Sequence, residues 1–222
     1  MPPAGNTDAW MHIPDKRRLE VAEAYFRPFM KVFNGCSSVV DLGSGQGYFL
    51  EMLRDAGIPA TGVELEPDLC RSARQRRLSV INEDVFEFLR NADPEAYDGC
   101  LASHIVEHCP PSRVKEMFSL VYELLKPGSP LVVITPNIAN IRRAVGDFWR
   151  DPSHVRPYPI SALSKLLGPG CWDVMESGEH SDRPPSLRRK IVYAVRNVLI
   201  GRYWAGDDVY IIVRKRSREA CR

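Results

Sequence analysis

No stretch of these 222 residues holds the roughly 20 consecutive apolar side chains that a membrane-spanning helix needs. The first 18 residues lack an apolar core flanked by a cleavage site, so they do not match a secretory signal. None of the six cysteines, Cys36, Cys70, Cys100, Cys109, Cys171 and Cys221, stands in a CxxC or other metal-ligand spacing. Several lie among apolar neighbours, where a thiol packs as a small hydrophobe, and the set is expected to be reduced, as in the cytoplasm. Charge of one sign is scarce too. With 30 Lys and Arg against 28 Asp and Glu, the net charge of +2 is too small to mark a nucleic-acid binder. The one local excess is basic and begins at Arg183, with Arg188, Arg189, Lys190, Arg196 and Arg202. A solvated face is the plain expectation there, and peripheral contact with an anionic membrane surface is the alternative.

What is present is an alternation of short apolar runs with amphipathic stretches. A helix is expected over 15–33, kinked or split by Pro28. Strands are expected at 38–42, 60–65, 78–81, 97–103 and 131–135, with helices at 48–56, 68–77, 85–90 and 111–125 between them. A proline-rich stretch over 136–159 follows, then a short helix at 160–167, a strand at 172–177, a basic helical segment at 186–200 and a last strand at 209–213. The chain divides into an N-terminal arm and helix (1–37), a core (38–135) and a final part (136–222), all within one domain. The alternation predicts a doubly wound α/β fold, whose ligands sit beyond the carboxyl ends of the strands.

The first strand runs into Asp41-Leu42-Gly43-Ser44-Gly45-Gln46-Gly47. Glycines let a backbone turn tightly and approach a ligand where a side chain would collide. The spacing is GxGxG, not the GxGxxG of dinucleotide sites. Asp41 would repel a pyrophosphate and favour an amino group or a sulfonium. Glu64, at the end of the second strand, can accept bonds from both hydroxyls of a ribose, with Leu65 beside it. Asp84 and Val85 follow the third strand and can hold an adenine through a carboxylate and a backbone N–H; a helix cap is the plain alternative for Asp84. Ser103 ends the fourth strand on the same side.

The run 39–50 resembles motif I of class I S-adenosylmethionine-dependent methyltransferases. Residues 61–68, 82–88, 97–108 and 124–137 resemble the motifs that follow it in that family. The resemblance implies a Rossmann-like seven-stranded sheet of order 3-2-1-4-5-7-6 with the last strand antiparallel. It also implies S-adenosyl-L-methionine as cofactor, held by Asp41, Gly43, Ser44, Gly45, Gly47, Glu64, Leu65, Asp84, Val85 and Ser103.

On the reaction side, His104-Ile105-Val106-Glu107-His108 follows the fourth strand. HxxEH also occurs in some zinc proteases, but Pro110 and Pro111 leave no room for the sustained helix such a site needs. The segment instead resembles the Glu-His pair found after this strand in many methyltransferases. In small-RNA terminal 2′-O-methyltransferases and some ubiquinone-pathway enzymes, ExxEH helps to bind a divalent metal. This chain departs from that pattern at His104, and Glu107, His108 and His154 are the candidate ligands.

Thr135-Pro136-Asn137 and the segment Trp149-Arg150-Asp151-Pro152-Ser153-His154-Val155-Arg156-Pro157 resemble methyltransferases of bacterial polysaccharide, O-antigen and glycolipid assembly. That likeness implies a sugar or glycan hydroxyl as acceptor, with Trp149 and Tyr158 stacking on it and Asn137 and Arg156 bonding to it. Methyl transfer to a hydroxyl requires alignment and removal of a proton. Catalytic roles are expected for His104, His154 and Glu107, with His104 or His154 as the base. Residues 137–159 are expected to be a mobile lid with few core anchors.

Other functions are a small aromatic or quinone-type hydroxyl as acceptor, or a non-catalytic nucleotide-binding module. Nucleic acid is not an expected partner: no basic stripe interleaved with aromatics is evident. Strand 4 ends Ala102-Ser103-His104, not in the Asp/Asn-Pro-Pro-aromatic run of DNA-base methyltransferases.

Overall fold

The computed structural model describes residues 15–141, 143–168, 170–181, 195 and 206–217. Seven strands form one sheet: β1 (Val39–Leu42), β2 (Ala60–Glu64), β3 (Val80–Asn82), β4 (Gly99–Ser103), β5 (Pro130–Pro136), β6 (Trp172–His180) and β7 (Asp208–Lys215). Their order is β3-β2-β1-β4-β5-β7-β6. The first five are parallel; β7 runs antiparallel to both β5 and β6. The order and the antiparallel last strand are those expected from the sequence.

Among the described residues six α-helices cover the sheet: α1 (Asp15–Met30), α2 (Tyr48–Asp55), α3 (Pro67–Gln75), α4 (Val85–Asn91), α5 (Pro111–Leu124) and α6 (Ile160–Leu167). The central strands β1, β4 and β5 are buried along nearly their whole length, as a doubly covered sheet demands. Alternation then sorts their side chains. Val39, Val132 and Ile134 pack with Phe29, Phe33, Phe49 and Leu53 of the α1–α2 side. Val40, Leu42, Leu131 and Val133 pack with Met117, Phe118, Val121 and Leu163 of the α5–α6 side. Pro28 does not split α1; the helix ends two residues later and tightens into a 3-10 turn, Lys31–Phe33.

Gly62 of β2 sets how closely the glycine turn lies against the sheet. A Cβ there would stand 2.4 Å from Ser44 Oγ and 2.6 Å from Leu50 Cδ1. Gly62→Ala is therefore expected to destabilise the protein by about 1–3 kcal/mol through overpacking. Thermal denaturation checks this, at roughly 2–4 °C of Tm per kcal/mol for a domain of this size.

Several expectations are corrected. Segment 137–159 does have core anchors: Phe148 and Tyr158 are each 1% exposed, and Asn140 and Asp151 are buried. A turn of π-helix (Arg143–Asp147) and a 3-10 turn (Phe148–Arg150) shape it locally. Its apolar residues are too widely spaced to show a period, so the anchoring is not visible in the sequence pattern. Cys36, Cys70, Cys100 and Cys109 are free, as expected, but Cys171 is in a disulfide whose partner lies outside the described residues. The chain leaves β7 beside it, with Arg216 N–H donating to the Cys171 carbonyl. The basic segment 186–200 lies outside the described residues except for Val195. Among the described residues no helix is long and apolar enough to cross a membrane.

Candidate active site

The carboxyl ends of β1, β2 and β4, together with the start of β7, meet at one edge of the sheet. The turn after β1 is wound by Gly43, Gly45 and Gly47, at φ +72°, +54° and +76°. These angles are costly for any residue with a Cβ. A Cβ on Gly47 would meet Leu78 Cδ1 at 2.8 Å and Ala73 Cβ of α3 at 3.4 Å, so this glycine also brings α2 close to α3. A Cβ on Gly45 would meet nothing within 4 Å: its open side faces space, not packing. Ser44 Oγ is buried with no hydrogen-bond partner.

Asp41 is buried in β1, and burial, together with the nearby charge of Glu64, raises its pKa to about 8. Such a carboxyl favours a cationic partner. Glu64 Oε2 accepts the Gly45 N–H at 2.7 Å, and Oε1 accepts the Glu66 N–H at 2.9 Å. Glu64 thus ties the glycine turn to the end of β2, and Leu65 stands exposed beside it. Asp84 is a helix cap: its Oδ1 accepts the N–H groups of Phe86 and Glu87, and Val85 opens α4. The structure brings Asp41, Gly43, Ser44, Gly45, Gly47, Glu64 and Ser103 to one sheet edge, with Asp84 and Val85 at the end of neighbouring β3. An open glycine turn, an unpartnered buried hydroxyl and a buried acid suit an amino-acid head group joined to a nucleoside.

His104 follows β4 with φ +54°, a conformation that L-residues seldom hold. Its Nδ1–H donates to Glu107 Oε1 at 3.1 Å. Its Nε2–H donates to the Tyr25 hydroxyl at 2.9 Å, and that hydroxyl donates to Asp208 Oδ2 at 3.0 Å. Burial alone would lower the imidazole's pKa, but Asp208 and Glu107 outweigh it and raise it to about 10. Burial pushes Asp208 upward in turn, and the His104 charge pulls it below the usual carboxylate range. Both ring nitrogens are engaged, Nδ1 with Glu107 and Nε2 with the Tyr25 hydroxyl. A raised pKa of this kind favours the charged imidazole, which suits His104 to pair with anions.

Glu107 is fully buried in a 3-10 turn, Val106–His108, and its Oε2 accepts from Thr135 Oγ1 at 3.0 Å. A single turn before Pro110 is all the helix that HxxEH forms, as the prolines predict. His108 Nδ1–H donates to Ser153 Oγ at 2.8 Å, and Ser153 Oγ–H donates to Asp151 Oδ1 at 2.6 Å. Burial lowers the His108 pKa. His154 Nδ1–H donates to the Phe148 carbonyl at 2.6 Å, and its ring packs on Phe148 at a centroid distance of 4.5 Å. Val155 and Arg156 N–H groups both donate to the Glu107 carbonyl, which fastens 153–156 to the turn after β4. His108 and His154 lie 4.8 Å apart, ring centroid to centroid. The three candidates Glu107, His108 and His154 thus converge.

Two of the expected acceptor contacts do not survive. Tyr158 is a core residue whose hydroxyl donates to the Cys109 carbonyl. Asn137 is buried, donating to the Gly206 carbonyl and accepting from Ala139 N–H. Trp149 is 61% exposed, with its indole N–H on the Ala144 carbonyl. Tyr25 and Asp208 are site residues that the sequence patterns did not single out.

With this geometry in view, the chain was compared with known proteins. A family described as a methyltransferase domain matches residues 15–168. Among solved structures, a SAM-dependent methyltransferase from Archaeoglobus fulgidus is similar at 26% identity and TM-score 0.73, covering 94% of this chain and all of that one. A putative methyltransferase in complex with the Haloferax volcanii Trm112 activator has the same fold, at 17% identity and TM-score 0.72, covering 97% of this chain and all of that one. A malonyl-[acyl-carrier protein] O-methyltransferase of Serratia marcescens is 29% identical over 115 residues, 50% of this chain and 43% of that one. The match therefore spans less than half the length of that curated relative.

Proposed function

The chain belongs to the methyltransferase-domain family and is an S-adenosylmethionine-dependent methyltransferase, and from that premise we propose that its acceptor is a hydroxyl group of a sugar or glycan. In this reading Asp41 takes the cationic part of the cofactor's amino-acid end. The backbone of Gly43 to Gly47 and the Ser44 hydroxyl line that end, Glu64 takes the ribose, and Asp84, Val85 and Leu65 border the adenine. Bound S-adenosylmethionine supplies a methyl group already activated on sulfur. The transfer forms an oxygen–carbon bond as the carbon–sulfur bond breaks, and the acceptor's proton leaves to the protein.

The observation that carries the hydroxyl reading is the state of His154 and His108. Each has Nδ1 engaged in a hydrogen bond, which leaves Nε2 as the ring nitrogen without one of these contacts. A carboxyl acceptor is ionised at neutral pH and gives up no proton. A hydroxyl acceptor does, and in this reading His154 takes it. The resemblance of segment 135–167 to glycan-modifying methyltransferases and the exposed Trp149 support a sugar as the carrier of that hydroxyl.

Trp149→Ala tests the acceptor side. Loss of one aromatic contact, worth about 0.5–1.5 kcal/mol, should raise the acceptor KM about 2- to 12-fold. Affinity for S-adenosylhomocysteine, measured by calorimetry, should stay unchanged. An equal loss of cofactor affinity would place Trp149 in the cofactor pocket instead.

A further inference from the structure

Apolar side chains exposed singly are ordinary on a protein surface, but a cluster of them marks a contact. Of the nine large apolar side chains exposed among the described residues, Ile141, Val145, Trp149 and Val155 fall within one short stretch between β5 and α6. We propose that this face of segment 141–156 docks on the anionic headgroup surface of a lipid bilayer.

The face is held in place from behind. Phe148 and Asn140 are buried on the inner side of the stretch, and Ala144 N–H donates to the Asn140 carbonyl. Ile141, Val145 and Trp149 recur at every fourth residue and stay outside, with Val145 75% exposed. The Trp149 indole N–H is spent on the Ala144 carbonyl, so the stripe presents no unsatisfied polar donor there. The charges beside the stripe are sorted by sign. Arg150 has its side chain 73% exposed, against 22% for Asp147 beside it. Arg156 is exposed, whereas Asp151 is buried and accepts from Ser153. The stretch therefore shows its cations and withholds its acids. That complements an anionic lipid surface, and it sets like charges against one another if two copies of the face meet. An apolar stripe rimmed by arginine is how a segment lies in a membrane interface: the apolar groups enter the acyl boundary and the cations meet the phosphates. No helix among the described residues can span a bilayer, so the contact is peripheral. Val155 and Arg156 N–H groups on the Glu107 carbonyl tie this face to the turn after β4, so a docked chain holds its histidine cluster close to the lipid surface.

The test is sedimentation of the full chain with vesicles of phosphatidylcholine alone and of phosphatidylcholine with phosphatidylglycerol, at low and high salt, with neither cofactor nor acceptor present. The anionic vesicles should bind the chain far better than the neutral ones, and binding should fall as salt screens the arginines. Val145→Glu should weaken it on the order of 10-fold, through lost insertion and an added like charge. Arg150→Gln should weaken it about 5-fold, the worth of one cation at such a surface. Ile141→Ser repeats the apolar test at a second position. Trp149 and Arg156 stay native in every variant, because acceptor contacts are expected of them. The altered side chains are exposed or point away from the core, and unchanged S-adenosylhomocysteine affinity certifies each variant as folded. No binding to anionic vesicles, or binding that Val145→Glu, Ile141→Ser and Arg150→Gln all leave at full strength, would overturn the face. Self-association that Val145→Glu removes, without vesicle binding, would give the face to a second copy and overturn it too. No turnover is read, so vesicle binding stands or falls separately from the hydroxyl reading above.

Discussion

Replacing Asp41 by Asn is expected to stabilise the cofactor-free protein above neutral pH while stripping it of cofactor affinity. The native carboxyl has its pKa near 8, against about 3.9 for an unfolded aspartate. Between these two values the native state holds a proton that the unfolded state has released, so stability falls as pH rises through the window. Above pH 8 the full penalty of a buried carboxylate is present; below pH 4 it is gone. Asn keeps the shape and removes the charge. The gain should be near zero at pH 4, grow through pH 6, and reach roughly 1–4 kcal/mol by pH 8.5. That corresponds to roughly 2–4 °C in Tm for each kcal/mol. The same substitution removes the partner of a cationic head group, a charged hydrogen bond worth roughly 1.5–3 kcal/mol, or about 10- to 150-fold in affinity. Melting curves from pH 4 to 9, with calorimetry of S-adenosylhomocysteine, check both halves. A destabilised variant at pH 8.5, or one that binds normally, would refute the role of Asp41.

His154→Ala carries the largest expected effect on turnover. Loss of a general base costs about 10²–10⁴-fold, and truncation here removes the Nε2 lone pair. The ring packs on Phe148 and His108 and has no contact with the glycine turn among those described, so cofactor affinity should hold within experimental error. Single-turnover methyl transfer beside a binding isotherm separates the two quantities. Near-normal turnover in His154→Ala would remove the histidine from the chemistry. An equal fall in cofactor affinity would instead assign it a structural task.

How much of this was legible depends on whether the cause was local. The cofactor turn was legible because three positive-φ positions within five residues demand glycines, and because a buried acid beside them makes sense only near positive charge. The short turn at 106–108 was legible because Pro110 and Pro111 forbid a longer helix. Asp208 was not. It enters the site only because β7 pairs antiparallel with β5 in a register that sets Asp208 opposite Pro136, a long-range fact with no local signature. Tyr25 sits in the apolar stripe of α1 and counts there as one more core residue, although its hydroxyl reaches His104 and Asp208. His104 was placed correctly after β4, but its surroundings were not legible, because the two carboxylates beside it come from Glu107, three residues on, and from distant β7. Tyr158 and Asn137 look like ligand groups in a polar, proline-rich stretch, and only packing shows that both are spent on holding that stretch together.

The central claim, methyl transfer to a hydroxyl of a sugar or glycan, is tested most directly by the bond that is made. The protein should be incubated with methyl-labelled S-adenosylmethionine and a panel of nucleotide sugars, glycans, quinols and acyl-carrier-protein thioesters, and the products then treated with mild base. The account predicts label on a sugar acceptor that survives base, as a methyl ether does. Label found only on a carboxyl acceptor and released by base, as a methyl ester is, would contradict it.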